Sequence, residues 1–563
     1  LDINPWRERS WIKMFSSRQR KEHIREAQGK VFDVLIIGGG ITGACAARDA
    51  ARRGLSTAII EKNDWAFGTS SRSSKLVHGG LRYLELYDFK LVFEACRERR
   101  RLLLNAPHVV WPQSFIFPVY KGDKNGLILI DMGLWLYDML ALFRNVQPHQ
   151  FHGPKRILWV EPELDRERLK GGGQFYDCST DDARLTLNHV QSAYLEGACC
   201  LSYTKVVDFL RRDGMLCGAR VRDEVGGEEF DVEARMVLNC TGPWTDAVCR
   251  LDDPDAAPKL RPTKGSHVIV PWERVKAYNA MPIVSPADGR MLFLVPWGDF
   301  ALIGTTDTDY TGDYDTIHAS AEDVDYILGA ANHALPKAGL TTADVISTYA
   351  GLRPLIWEGG GTDVKESRVS REHSIYESHS GLISIAGGKL TTARSMAEEL
   401  VDLAVRRLEE RFGVHPDARC TTRNAPVFGK DGADFRRRLE RLAGETRLDA
   451  DIISKLQRLG TGAIRVLAML SEDASLAEGL GDGIPYIEAE VVYAARNEMV
   501  VNLADFMVRR SLIYYEDREQ GLGCAGKVAG ILGRELGWDE EERSRQVEDY
   551  HRVVELSRAC KRE

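Results

Sequence analysis

Three glycines and one acid carry the first chemical signal in this sequence. Gly38, Gly40 and Gly43 form the pattern G-x-G-x-x-G within VLIIGGGITGA. Lacking side chains, they permit a tight turn, close approach of backbone to a pyrophosphate, and close packing of a helix on its strand. Free amides at the helix start and the helix dipole favour the negative charge of a phosphate there, and Thr42 lies in that first turn. Glu61 follows the apolar run Thr57 to Ile60 and is placed to accept hydrogen bonds from an adenosine ribose, with Lys62 beside it. A lone glycine pattern is weak evidence. With a strand before it, a helix after it and an acid about 20 residues on, it is strong. The chemistry implied is dinucleotide binding.

A second group follows in GTSSRSSKLVHGGLRYLE, residues 68 to 85. Thr69, Ser70, Ser71 and Ser74 are short donors suited to phosphate or ring contacts, and serine and threonine also cap turns. His78 is the ring on this loop that titrates near neutrality. It reads equally well as a proton acceptor and as a structural histidine holding the loop.

The elements that must position these residues follow from hydrophobic pattern. Val34 to Ile37 is a short apolar run, as expected of a parallel strand covered on both faces. A helix is predicted over Phe89 to Asn105, ended by Pro107. Residues 203 to 223 read as strand, Asp213-Gly214 turn and strand, leading into a strand over 234 to 241 that exits at Gly242-Pro243. Residues 266 to 306 look antiparallel: SHVIV, MLFLVPW, a Gly298-Asp299 turn, then FALIGTT. Such a sheet would cover one face of a bound ring. Residues 382 to 408 return as a strand, a glycine turn and a long helix. Beyond about residue 425 the pattern is charged and helical, strongest over Tyr486 to Tyr514, and carries no chemical signal.

The expected organisation is α/β plus α. A Rossmann-like dinucleotide domain is assembled from 31–105, 176–260 and 345–415. An antiparallel β substrate domain comes from 106–175 and 261–344, a helical domain from 425–563, and a basic amphipathic segment occupies 1–30. The net charge of −8 over 563 residues gives no electrostatic reason to expect nucleic acid. Eleven cysteines without C-x-x-C or zinc spacing suggest reduced thiols in a cytoplasmic compartment. No segment reads as a membrane span. The longest apolar stretch, Gly126 to Phe143, carries Asp131 and Asp138 on one helical face and is expected to pack on the body as an amphipathic helix. The first 25 residues hold seven Arg or Lys against three acids, with Trp6, Trp11, Met14 and Phe15 interleaved. That segment suits either an anionic membrane surface or a helix docked on the protein.

Assembled, these pieces resemble the FAD-dependent glycerol-3-phosphate dehydrogenases over nearly the whole chain. The resemblance rests on IIGGGITGA, GTSSRSSKLVHGGLRYLE, KGGGQFYD, TDDARLT, NCTGPWTD, IGTTDTDY, AGLRPL, SIAGGKLTT and EAEVVYAARNEMVVNLADFMVRRS. It implies a D-amino-acid-oxidase-like flavoprotein with a glutathione-reductase-type hairpin in its sheet and a C-terminal helical cap. It further implies FAD as cofactor, sn-glycerol 3-phosphate as substrate, a membrane quinone as acceptor, a peripheral seat on the cytoplasmic face of the inner membrane, and a possible homodimer. An oxidase using oxygen is the nearest alternative, although the extra insertion of that subgroup has no room here. An amine or amino-acid oxidase, or a scaffold with structural flavin, is more remote.

Oxidising a secondary alcohol requires hydride transfer to the flavin while a base removes the hydroxyl proton. A phosphate calls for planar multidentate cations. By motif, Arg353 and Arg371 match substrate-anion or reaction positions. Arg82 and Tyr83 match the segment beside the ring, and Thr305 and Thr306 are hydroxyls of the substrate sheet. Gly388, Lys389, Leu390 and Thr391 open the last helix toward the flavin, whose reduced anionic ring its positive end would stabilise. Gly242 and Val207 fall near the adenosine half. His78, Lys389 and Arg353 remain competing candidates for the proton-handling group.

Overall fold

Alternating residues of the first strand, Phe32–Ile37, are buried in two different cores. Val34 and Ile36 pack with Ala44, Ala47, Leu400 and Val401, whereas Leu35 and Ile37 pack with Ala58, Phe209, Val221 and Val232. A strand covered on both faces needs apolar residues at successive positions, which Val34–Ile37 provides. Each such side chain contributes about 1.5–3 kcal/mol of burial. The computed structural model describes residues 15–357, 372–430, 432–446 and 448–562. In it, Phe32–Ile37 is the centre of a parallel sheet, flanked by Thr57–Ile60 and by the second half of Glu229–Asn239. Leu382–Gly387 and Cys199–Leu201 extend it, and His373–Glu377 closes one edge antiparallel.

Glu229–Asn239 serves two sheets. Its first half pairs antiparallel with Met215–Asp223 of a hairpin, and its second half pairs parallel with Phe32–Ile37. Leu260–Pro271 is the spine of the antiparallel sheet, pairing with Phe300–Gly304, Thr308–Asp309 and Ser347–Ile356. A smaller sheet built on Val110–Tyr120 and Leu169–Thr180 joins it where the Ile116 amide donates to Ala280 (2.8 Å) and the Ala280 amide to Ser114 (2.9 Å). All eleven cysteines are free thiols.

The helix Arg20–Gly29 docks on the protein. Arg20 holds Asp223, Thr204 and the carbonyls of Ser202 and Tyr203, while Phe15 packs on Tyr194. Trp6, Trp11 and Met14 lie outside the described residues.

The helical tail meets the sheet domain through buried ion pairs. Asp64 accepts from Arg509 and, at 2.7 and 2.8 Å, from Arg510. Arg184 pairs with Glu498, and Arg458 with Asp181 at 2.8 Å. Burial pushes the Asp64 carboxyl upward, but Arg510 and Arg509 more than offset this and hold it below the usual range.

The helix Leu127–Leu140 departs from expectation. Leu134, Tyr137 and Asp138 face inward, whereas Ile128 (79% exposed), Met132 (62%) and Trp135 (57%) face outward. The cause is His149. Its Nδ1 lies 2.8 Å from Asp138 and its Nε2 3.5 Å from Asp131, so the acids turn toward the body and an apolar face turns out. Among the described residues no helix is long and apolar enough to cross a membrane.

Candidate functional site

A cavity of about 1370 Å³ runs between the parallel sheet and the antiparallel sheet. Its dinucleotide end is shaped by the glycine turn. Gly38 has φ +108°, and a Cβ there would stand 2.6 Å from the Cys240 carbonyl oxygen. Gly40 and Thr42 line the wall. Gly43 lies behind it, where a Cβ would overlap the Gly38 carbonyl oxygen, so its part is to seat the helix against the turn. Glu61 accepts from the amides of Gly39 (2.7 Å) and Asn63 (2.9 Å). Burial raises its pKa against the lowering effect of those amides.

The short donors divide. Ser70 caps the helix start by accepting from the Ile41 amide at 2.9 Å, and its hydroxyl remains on the wall beside Gly40. Thr69 lines the cavity and donates to the Leu352 carbonyl, and Ser74 lines it with its hydroxyl 2.9 Å from His267 Nε2. Ser71 is different. Its side chain is buried in the turn and off the wall, and its carbonyl accepts from Lys75. In the hairpin strand Thr204–Arg212 the first three residues, Thr204, Lys205 and Val206, line the cavity, and Val207 follows directly after them. Lys62 and Gly242 line the same end, Gly242 with φ +55°.

At the other end, Gly388 (φ +81°), Lys389, Leu390 and Thr391 reach the wall from the turn after Leu382–Gly387. Lys389 Nζ stands 3.4 Å above the ring of Tyr83, and the Thr391 hydroxyl accepts from the His78 amide at 3.2 Å. His78, Arg82 and Tyr83 all line this region. Arg353 donates to Asp307 (2.9 Å), to the Thr305 hydroxyl (3.1 Å) and to the Thr306 carbonyl (3.0 Å). Thr305 faces the cavity. Thr306 faces away, its hydroxyl accepting the Ser266 amide inside the sheet. Arg371 lies outside the described residues.

Two wall residues carry no motif signal of their own. His267, on the spine strand, is stacked on Tyr349 at 4.6 Å. Burial first, then Arg353 and Lys75, hold its pKa well below the ordinary value, so the imidazole is neutral. Arg290 brings another guanidinium, donating to the Asp307 carbonyl at 2.6 Å. His267 was reachable only as a polar residue inside the apolar SHVIV strand. The rim beyond Tyr83 carries the apolar side chains Leu86, Tyr87, Leu129 and Met132 beside the polar Glu85, Lys124 and Asn125. The long channel, the glycine cradle, the ribose acid and a cationic far end fit a dinucleotide with its ring at Lys389. An anion would fit against Arg82, Arg290 and Arg353.

Comparison with known proteins agrees. The family model described as FAD dependent oxidoreductase matches residues 33–403, and the C-terminal domain of alpha-glycerophosphate oxidase matches residues 420–543. The aerobic glycerol-3-phosphate dehydrogenase of Staphylococcus haemolyticus is 36% identical over 550 residues, covering 96% of this chain and 97% of its own. That of Bacillus subtilis is 35% identical over 548 residues, covering 96% and 98%. Among solved structures, the glycerol-3-phosphate dehydrogenase of Bacillus halodurans complexed with FAD superposes with TM-score 0.81 at 34% identity, covering 97% of this chain and 98% of its own.

Proposed function

This chain belongs to the family of FAD-dependent glycerol-3-phosphate dehydrogenases, and from that premise we propose that it oxidises sn-glycerol 3-phosphate to dihydroxyacetone phosphate and delivers the electrons to a membrane quinone. The observation that carries the substrate reading is the convergence of Arg82, Arg290, Arg353 and Lys389 at the end of the cavity opposite the ribose acid. Guanidinium forks match phosphate oxygens bidentately and are always charged. FAD, when bound, supplies the acceptor for the carbinol hydride. Gly38, Gly40 and Ser70 would lie against its pyrophosphate, Glu61 against its ribose, and Lys389 beside its ring.

The hydroxyl proton needs an acceptor on the same wall. His267 is neutral, faces the cavity and is oriented by the Ser74 hydroxyl and the Tyr349 ring. The negative charge of the substrate phosphate would raise its proton affinity toward that of an effective base. Arg353 would stabilise the developing alkoxide. His267→Asn is therefore expected to lower kcat far more than His78→Asn; the reverse order would return the role to His78.

The quinone reading rests on the helix Leu127–Leu140. Leu129, Met132 and Leu136 line the open mouth of the cavity, and Ile128 and Trp135 on the same helix lie exposed. An apolar collar around a flavin cavity suits a membrane-borne acceptor and a peripheral seat on the inner membrane's cytoplasmic face. Ile128→Glu with Trp135→Glu should abolish vesicle binding and quinone-coupled turnover while preserving turnover with a soluble dye. Retained vesicle binding would move the contact elsewhere. The central test is anaerobic. Bleaching of the flavin bands by sn-glycerol 3-phosphate, but not by glycerol or D-alanine, followed by reoxidation with quinone faster than with air, supports the whole reading. Flavin that stays yellow with the substrate would refute it.

A further inference from the structure

At the adenosine end, the two halves of the cavity are fastened to each other by a loop from the substrate sheet. After Thr308–Asp309 the chain crosses toward the dinucleotide half and is braced there by Asp313. The Asp313 carboxylate accepts from the Asp315 amide (3.0 Å) and the Thr316 hydroxyl (3.0 Å), and its carbonyl accepts from the Tyr310 hydroxyl (3.0 Å). The far foot of the loop, Ile317, is buried against Ala350 and Leu352, next to Arg353. At its tip Asp315 takes two bonds from Lys62 Nζ, at 2.6 and 2.8 Å. The same Nζ lies 4.4 Å over the ring of Trp244, against which Tyr314 packs edge-on at 6.1 Å. Lys62, Trp244 and Asp315 all line the cavity at the end marked by Glu61 and Gly242.

We propose that residues 308–316 are a strap across the adenosine end of the flavin cavity, fastened by the Lys62–Asp315 pair over Trp244, and that it slows the departure of bound cofactor. The inference rests on the reading of this cavity as an FAD site. Lys62 extends from the dinucleotide fold and Asp315 from the substrate sheet, so cofactor leaving between them must part the two. The side chains are 25% and 46% exposed, which leaves the pair open to water and to screening ions. The strap is a fastening that yields to salt; its tip, at Asp315, lies at the adenosine end, while its feet adjoin Asp307 and Leu352.

The experiment is release of FAD from the holoenzyme after dilution, followed by recovery of free-flavin fluorescence at low and high ionic strength. For Asp315→Asn, release at low salt is expected to quicken about two- to fivefold, the range of a partly exposed ion pair, and to lose most of its salt dependence. With FAD in excess, kcat and KM for sn-glycerol 3-phosphate stay at wild-type values. Asp231→Asn removes an exposed ion pair with Arg220, outside the strap, and should leave release unchanged. The proposal is overturned if Asp315→Asn releases FAD at the wild-type rate and salt slope, or if Asp231→Asn quickens it equally. A wild-type protein that takes up no FAD at all would instead refute the cofactor reading.

Discussion

Arg509 and Arg510 lie in the seam between the helical tail and the dinucleotide half, their side chains 7% and 1% exposed, with Asp64 between them. Arg353 lies on the cavity wall, 23% exposed, where Arg82, Arg290 and Lys389 also converge and Asp307 is its acidic partner. In the seam each guanidinium is matched by carboxylates and carbonyls. Along the wall, cationic side chains from separate elements crowd together around a space of ligand size. The same residue type therefore does two jobs, and what surrounds the charge decides which. Charges buried in a seam fix how two units of the fold meet, while cations lining a cavity give its wall a positive field that suits an anion.

Substituting Asp64 tests the seam most severely. Asp64→Ala removes the carboxylate that two buried arginines share, leaving Arg509 only Asp505 and Arg510 only the more distant Glu498, and should cost about 3–5 kcal/mol in urea unfolding. An unchanged midpoint would mean that the seam is not structural. Arg353→Ala should do the opposite, keeping the midpoint while costing about 2–5 kcal/mol in kcat/KM for sn-glycerol 3-phosphate and far less for glycerol. Equal losses with both substrates would remove Arg353 from the phosphate site.

Glu161 sharpens the contrast because it is a buried acid served by neutral donors. It accepts from the amides of Tyr278 and Asn279 and from the Asn279 side chain. Burial lifts its pKa from 4.5 to about 7 despite those bonds. A carboxyl raised on folding holds its proton more tightly in the folded chain. The stability it lends is complete below about 4.5 and lost as pH climbs through about 7. Glu161→Gln removes that slope. It should match wild type near the low end of this window and exceed it by about 1–3 kcal/mol at about pH 8 in urea titrations. Parallel curves across the window would show that Glu161 ionises normally. Ser70 carries the smallest expected effect. Ser70→Ala loses one helix-cap bond, about 1 kcal/mol, read as a modest fall in both thermal midpoint and FAD affinity.

The dinucleotide end was legible in the sequence because its parts are local. Gly38 through Lys62 fall within one strand–helix–strand unit, and each glycine has a reason that its own neighbours supply. The substrate wall was much less legible. His267 reaches it because the spine strand pairs His267 with both Gly304 and Tyr349, and no local period announces that meeting. Of Thr305 and Thr306 only the first lines the wall, and Val207 falls just after the lining residues 204–206, since which side of a strand faces inward is set by pairing and not by composition. The apolar stretch Gly126 to Phe143 reads as an amphipathic helix packed on the body; the helix is there, over Leu127–Leu140, but the direction of its apolar face depends on His149, in the irregular chain beyond. The tail helices were visible by period, yet nothing nearby in the sequence ties Asp64 to Arg510.

That seam has a consequence for how the chain is made. Asp64 and Arg509 are 445 residues apart. At ribosomal rates of about 5–20 residues per second, roughly 20 to 90 s pass between their emergence. During the first part of that interval, until Leu382–Gly387 is made, the parallel sheet also lacks its neighbour beside Glu229–Asn239. The nascent protein therefore carries an uncompensated acid and an open strand edge through most of its synthesis, a vulnerable period for aggregation and proteolysis that chaperones must cover.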